Sequence, residues 1–182
     1  LLDYDKIKIK EAQLHVSDLC LFADVTNRKS VKDAYKKICQ TFGGIDILIS
    51  NAGSLSSGPV ADISDVDLKK SFDDNFFSHQ ICASEAVKIM LHQKSKGCLL
   101  FNISKQSVNP GLNFGSYGLP KTALLGLCKQ YALDYGKFGI RSNGINADRI
   151  KSGILNSSMI KTRAKARQVS IGDYMKGNLL LD

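Results

Sequence analysis

The sequence has no tryptophan and only three prolines in 182 residues, and its acidic residues are few against its basic ones, 17 to 25, for a net charge of +8. No apolar run approaches the roughly 18–20 residues that a membrane-spanning helix needs, so no membrane association is expected. No secretory signal is visible, because the first ten residues, LLDYDKIKIK, mix acids with lysines. The five cysteines (Cys20, Cys39, Cys82, Cys98, Cys128) form no CxxC pair, and none lies at metal-ligand spacing from a histidine. Free thiols in a reducing cytoplasm fit this pattern better than a disulfide frame or a zinc site. His15, His79 and His92 are scattered and read as structural or solvated. The basic excess invites a nucleic-acid reading, yet the run Lys161, Arg163, Lys165, Arg167 has no aromatics interleaved. A solvated helix face, or an electropositive rim for an anionic small molecule, is the better account. An initiating methionine is lacking too: the chain opens on Leu1 and closes on GNLLLD, so it is expected to start inside a longer sequence.

What is present suits a soluble globular protein, with 43% apolar and 23% charged residues. The length allows one domain with a real core. Short apolar runs alternate with amphipathic ones. LLD reads as the tail of a strand, residues 4–14 as a weak helix, and LCLFADV (19–25) as a strand. From Asn27, residues Val31, Tyr35, Ile38 and Phe42 recur at helical spacing until Gly43-Gly44 closes the helix. IDILIS (45–50) is a strand, NAGSLSSGP a loop, and 66–92 a long helix with Leu68, Phe72, Phe76 and Ile81 toward the core. CLLFNIS (98–104), a helix over 117–135 and GIRSNGIN (139–146) complete the pattern. Strands separated by helices imply βαβ units, hence an α/β, Rossmann-like, doubly wound parallel sheet with helices on both faces. No linker interrupts it, so residues 1–182 read as one domain. Ligands in such sheets bind beyond the carboxyl ends of the strands. The loops to inspect therefore follow Asp3, Val25, Ser50, Ser104 and Asn146.

On those loops and the neighbouring helices lie ADVTN, DILISNAG, Asn75 in DDNFF, Ser104 thirteen residues before Tyr117, YGLPK and GIRSNGIN. In this order they resemble the short-chain dehydrogenase/reductase family over essentially the whole chain. Within it, NISKQSVNPGLNFGSYGLPK followed by NADRIKSGIL looks most like the dehydrogenase domain of bifunctional aldolase/short-chain dehydrogenases. The chemistry suits the residues. A free tyrosine, with a pKa of about 10, is a poor base at neutral pH. Lys121 lies one helical turn after Tyr117, and its positive charge favours the phenolate. Tyr117 is thus the candidate acid/base and Lys121 its tuner. Pro120 would sit in the first turn of a helix beginning near Tyr117, where its missing N–H costs little.

The resemblance implies that Lys121 also bonds the nicotinamide ribose. It implies that Asn75 marks a helix distortion in a proton relay, and that Asp24, Val25, Asn51, Ala52 and Gly53 line the adenosine half of the dinucleotide. Ser104 would orient the substrate oxygen, with Ser107 the competing candidate. An acid at Asp3, ending the second strand of the family fold, would select NAD over NADP. Ile150 and Ser152 match positions at the nicotinamide carboxamide, although Ala147-Asp148 replaces the usual Pro-Gly just before them. The implied function is NAD(H)-dependent interconversion of an alcohol and a carbonyl on a small hydroxy-aldehyde or sugar-derived substrate, in a dimer or tetramer. The family's glycine-rich turn, TGxxxGxG, and its first strand–helix unit have no counterpart in the 182 residues, nor does its last strand. A rival expectation is therefore a non-catalytic remnant that keeps the side chains but not the dinucleotide.

Overall fold

The computed structural model of the protein describes residues 1–12, 19–148, 150, 157–166 and 168–176; His15, Ser152 and Arg167 fall outside them. The chain forms two compact units, Leu1–Ile145 and Asn146–Asp182. The first runs β1 (Leu2–Asp3), α1 (Lys6–Ala12), β2 (Leu21–Phe22), α2 (Arg28–Phe42), β3 (Ile47–Ser50), α3 (Asp65–Phe72), a π-helical turn (Asp73–Phe77), α4 (Ser78–Gln93), β4 (Gly97–Asn102), α5 (Gly115–Tyr135) and β5 (Ile140–Ile145). This is the expected Rossmann-like alternation, with parallel pairing throughout and helices on both faces.

The sheet, however, is in two parts. β1 pairs with β2, and β3-β4-β5 form a separate three-stranded sheet with β4 at its centre. Among the described residues β3 bonds a neighbour on one edge alone, and its Ile47 and Ile49 are 65% and 67% exposed. The strand expected over 19–25 shortens to Leu21–Phe22 because its partner β1 offers only two residues, Leu2 opposite Leu21 and Asp3 opposite Phe22.

Helix α2 starts where Asn27 caps it, accepting from the Ser30 amide, and ends where Gly43 takes φ 86° and donates its N–H to the Cys39 carbonyl. Val31 and Tyr35 are buried as the spacing predicts, whereas Phe42 in the last turn is exposed. The core gathers Met90 of α4, Leu99 and Phe101 of β4, Leu124 of α5 and Ile140 of β5, with Leu2 and Val25 packed at its edge. Each such fully buried side chain stabilises the fold by roughly 1.5–3 kcal/mol.

The long helix expected over 66–92 is interrupted by the π-helical turn, the helix distortion that the resemblance implied at Asn75, and Asn75 at its middle is fully buried. Helix α5 begins at Gly115, two residues before Tyr117, so Pro120 lies inside the helix and not in its first turn. A proline there removes the amide that would bond the carbonyl four residues back, that of Ser116. The buried Ser71 hydroxyl takes its place, donating to the Ser116 carbonyl at 2.7 Å. The helix continues because α3 supplies the missing donor.

The second unit holds α6 (Ser157–Ala166) and α7 (Ile171–Met175), which bury Ile160, Ala164 and Tyr174 together. Lys161 and Lys165 are exposed on α6. All five cysteines are free, and among the described residues no helix is long and apolar enough to cross a membrane.

Candidate active site

Helix α5 brings Tyr117 and Lys121 to the carboxyl end of β4. The Lys121 ammonium lies 5.8 Å from the Tyr117 ring centroid. It donates to the backbone carbonyl of Asn102, the last residue of β4, at 2.9 Å. A second neighbour is His79 of α4, whose Nε2 is 3.5 Å away. Lys121 is only 3% exposed, and burial draws its pKa down to about 8. Its charge is thus held by a carbonyl dipole and an imidazole in a poorly hydrated place.

His79 is fully buried, with Nδ1 2.7 Å from the Ser50 hydroxyl at the end of β3. Burial first, and then the Lys121 charge, lower its pKa to about 3 against the opposing pull of the Ala52 carbonyl. The imidazole is neutral throughout the physiological range.

Asn75 is fixed from two sides. Its amide nitrogen donates to the Ser71 carbonyl at 3.1 Å and to the Ser71 hydroxyl at 3.3 Å. Its oxygen accepts from the Ser54 amide at 3.2 Å, and the Ser54 hydroxyl donates to Asp74. The Asn51-Ala52-Gly53 turn lies against this group. A methyl group added at Gly53 would come within 2.7 Å of Asn75 Oδ1 and 3.8 Å of Lys121 Nζ. The Gly53 backbone therefore lies close to the Asn75 and Lys121 side chains.

Ser104, two residues past β4, is buried and accepts from the Gln106 amide at 3.2 Å, capping the short turn Lys105–Ser107. The Ser107 hydroxyl is committed to the Ser104 carbonyl at 2.7 Å. Asn51 accepts from the Asn102 side chain at 2.7 Å, which joins the ends of β3 and β4. At the other sheet, Asp3 accepts from the Asp5 amide, Asp24 accepts from the Thr26 amide and hydroxyl, and Val25 is half-buried. Ile150 is exposed and belongs to the second unit; Ser152 lies outside the described residues.

So Asn75, Tyr117, Lys121 and Gly53 come together. Ser71 and Asn102 join them without having been singled out in the sequence, as does His79, which reads there as structural or solvated. A signal existed for two: Ser71 and His79 each lie four residues from Asn75 in the same helical segment.

The short chain dehydrogenase family profile matches residues 4–164. The chain belongs to the short-chain dehydrogenase family. Among its relatives are the uncharacterized oxidoreductase YuxG of Bacillus subtilis, 34% identical over 145 residues (79% of this chain, 21% of that protein), and (+)-borneol dehydrogenase 1 of Salvia officinalis, 31% identical over 137 residues (74% and 52%). The 3-ketoacyl-(acyl-carrier-protein) reductase of Brucella melitensis complexed with NADH shares the fold, with TM-score 0.83 at 18% identity, covering 91% of this chain and 70% of that one. ElxO with NADP bound gives TM-score 0.76 at 25% identity, covering 93% and 68%. The chain spans about half or less of the length of these two curated relatives. In this short-chain dehydrogenase Ser104 follows β4 by two residues, and Tyr117 and Lys121 lie one turn apart on α5.

Proposed function

We propose that this site interconverts an alcohol and a carbonyl with a nicotinamide dinucleotide, NAD in preference to NADP, on a small hydroxy-aldehyde or sugar-derived substrate. The observation that carries the reading is the buried Lys121 ammonium set against the Tyr117 ring and held by the Asn102 carbonyl. In alcohol oxidation Tyr117 Oη takes the hydroxyl proton, and in reduction it returns it. Lys121 favours the phenolate that does so. The Ser104 hydroxyl accepts from Gln106 and keeps its own proton to donate to the substrate oxygen. The Ser107 hydroxyl is already spent on a backbone carbonyl, which supports Ser104 of the two. Asn75, rigid in its π-helical turn, supports the relay from Lys121.

The dinucleotide, when bound, exchanges the hydride. The exposed Asn51-Ala52-Gly53 turn, whose glycine admits backbone close to Lys121, fits its approach. Asp3 and Asp24, at the ends of β1 and β2, would meet the adenosine, and Asp3 would disfavour a 2′-phosphate. Tyr117 and Lys121 would meet the nicotinamide half. Assembly as a dimer or tetramer through α4 and α5, in the cytoplasm, belongs to the same reading; Leu133 on α5 is 77% exposed.

The divided sheet favours a second reading for the 182 residues taken alone: a chain that keeps the proton-handling side chains and cannot hold the dinucleotide. Calorimetric titration with NADH and then NADPH separates the two. Micromolar NADH binding with weaker NADPH binding supports the first reading and Asp3's part in it. Binding of neither supports the second.

A further inference from the structure

His79 has no part in the proposed chemistry, yet its ring touches both the strand end at Ser50 and the Lys121 ammonium. Its surroundings decide its tautomer. An ammonium has only protons to offer, so the ring nitrogen facing it must present a lone pair. Nε2 lies 3.5 Å from the Lys121 ammonium, which favours the imidazole proton on Nδ1, 2.7 Å from the Ser50 hydroxyl oxygen that would then accept it. Ser50 closes β3, whose ladder to β4 pairs Ser50 with Phe101. The Phe101 ring, 6.3 Å away by centroids, packs beside the imidazole. The ring is therefore anchored at one nitrogen and offers the other to Lys121.

We propose that His79 is a positioning residue: Ser50 locks it with its proton on Nδ1, and its Nε2 lone pair, with the Asn102 carbonyl, holds the Lys121 ammonium in its charged form beside Tyr117. Lys121 thus has two fixed acceptors, one from α4 and one from β4, and its remaining proton is free for Tyr117 and the reacting partners. The groups facing His79 are Lys121, the Ser50 hydroxyl and the Ala52 carbonyl; those facing Lys121 are His79, the Asn102 carbonyl and the Tyr117 ring. None of these is an anion at neutral pH, so an acceptor lost from Lys121 leaves its charge less supported. The pKa of about 3 agrees with the geometry, because a ring that does not protonate never opposes the ammonium with a second positive charge.

This inference rests on Lys121 tuning Tyr117, as in the proposed function, but it is tested without substrate or dinucleotide. Tyr117 ionisation is followed at 295 nm in the full chain, each curve taken as a difference against Y117F in the same background to remove the other five of its six tyrosines. His79→Leu removes the acceptor and is expected to raise the Tyr117 pKa by about one unit, a tenfold drop in phenolate at fixed pH. His79→Gln, whose carbonyl can accept in place of Nε2, is expected to recover most of that shift. Coincident curves for wild type and His79→Leu overturn the proposal, as does a His79→Gln shift as large as that of leucine. Where His79→Leu does not fold, nitrogen NMR of the wild-type ring decides. A protonated Nδ1 with a bare Nε2 at pH 7 supports the assignment, and the opposite tautomer overturns it. A chain that shows the shift and turns nothing over keeps His79's role and loses only the proposed activity.

Discussion

Ser71 and Pro120 are on different helices, yet each accounts for the other. Pro120 leaves the Ser116 carbonyl without its helical donor, and the Ser71 hydroxyl supplies one at 2.7 Å in a place where Ser71 and Ser116 are 2% and 1% exposed. Removing that hydroxyl in S71A leaves a buried carbonyl unsatisfied, a loss of about 1–3 kcal/mol. For a unit of this size that lowers Tm by roughly 2–4 °C per kcal/mol. P120A restores an amide at the right position, so the Ser116 carbonyl no longer depends on α3. In that background S71A is expected to cost at least about 1 kcal/mol less than it does in the wild type. Urea unfolding of wild type, S71A, P120A and the double variant reads the coupling directly. Additivity within about 0.3 kcal/mol would refute the idea that the serine replaces the lost helical donor.

K121M is expected to be the more stable protein at pH 7. The lysine pKa is lowered from 10.5 to about 8, so its charge is disfavoured in the fold. The unfolded chain holds the extra proton between those two values, and wild-type stability therefore rises with pH across that window. The advantage of K121M, about 0.5–2.5 kcal/mol after allowing for the Asn102 carbonyl it orphans, should be full below pH 8 and fade toward pH 10.5 in melts taken at each pH. His79 acts at the other end. With a folded pKa of about 3 against an ordinary 6.5, it costs the wild type stability as pH falls through that interval, and H79Q should show a shallower acid limb in the same melts. G53A should push its methyl into Asn75 Oδ1 and weaken NADH binding in calorimetry while leaving the far-UV dichroism unchanged, and an unaltered titration would refute the close-approach role. Y117F should keep dinucleotide affinity within about threefold and lose at least about 100-fold in turnover wherever the wild type shows any.

The alternation of strands and helices was legible because its signals are local: Asn27 and Gly43 bracket α2 by capping chemistry, and the apolar runs at 45–50 and 98–104 cover β3 and all of β4 but its first residue. The Tyr117–Lys121 pair was legible for the same reason, one turn apart on one helix. What escaped depends on contacts between segments distant in sequence. Pro120 looked like a first-turn residue until Ser71, 49 positions earlier, was seen to satisfy the carbonyl it leaves. His79 looked structural because its meaning comes from Ser50 and Lys121, on another strand and another helix. The division of the sheet follows from what pairs with what, and the residues within each strand do not express it.

The π-helical turn at Asp73–Phe77 sets the phase of this helical segment. Ser71, Asn75 and His79 repeat every four residues, whereas an α-helix turns every 3.6, so such a stripe would run ahead by about 40° at each step and wind away from Lys121. A wider turn placed between the first and last of the three takes up that lead and keeps them in line. The apolar face that follows, with Ile81, Cys82, Val87 and Met90, then meets the core in its own register. Deleting one residue from this turn would regularise the helix and rotate one half against the other by about 100°, so either the polar line or the core contact would have to be given up.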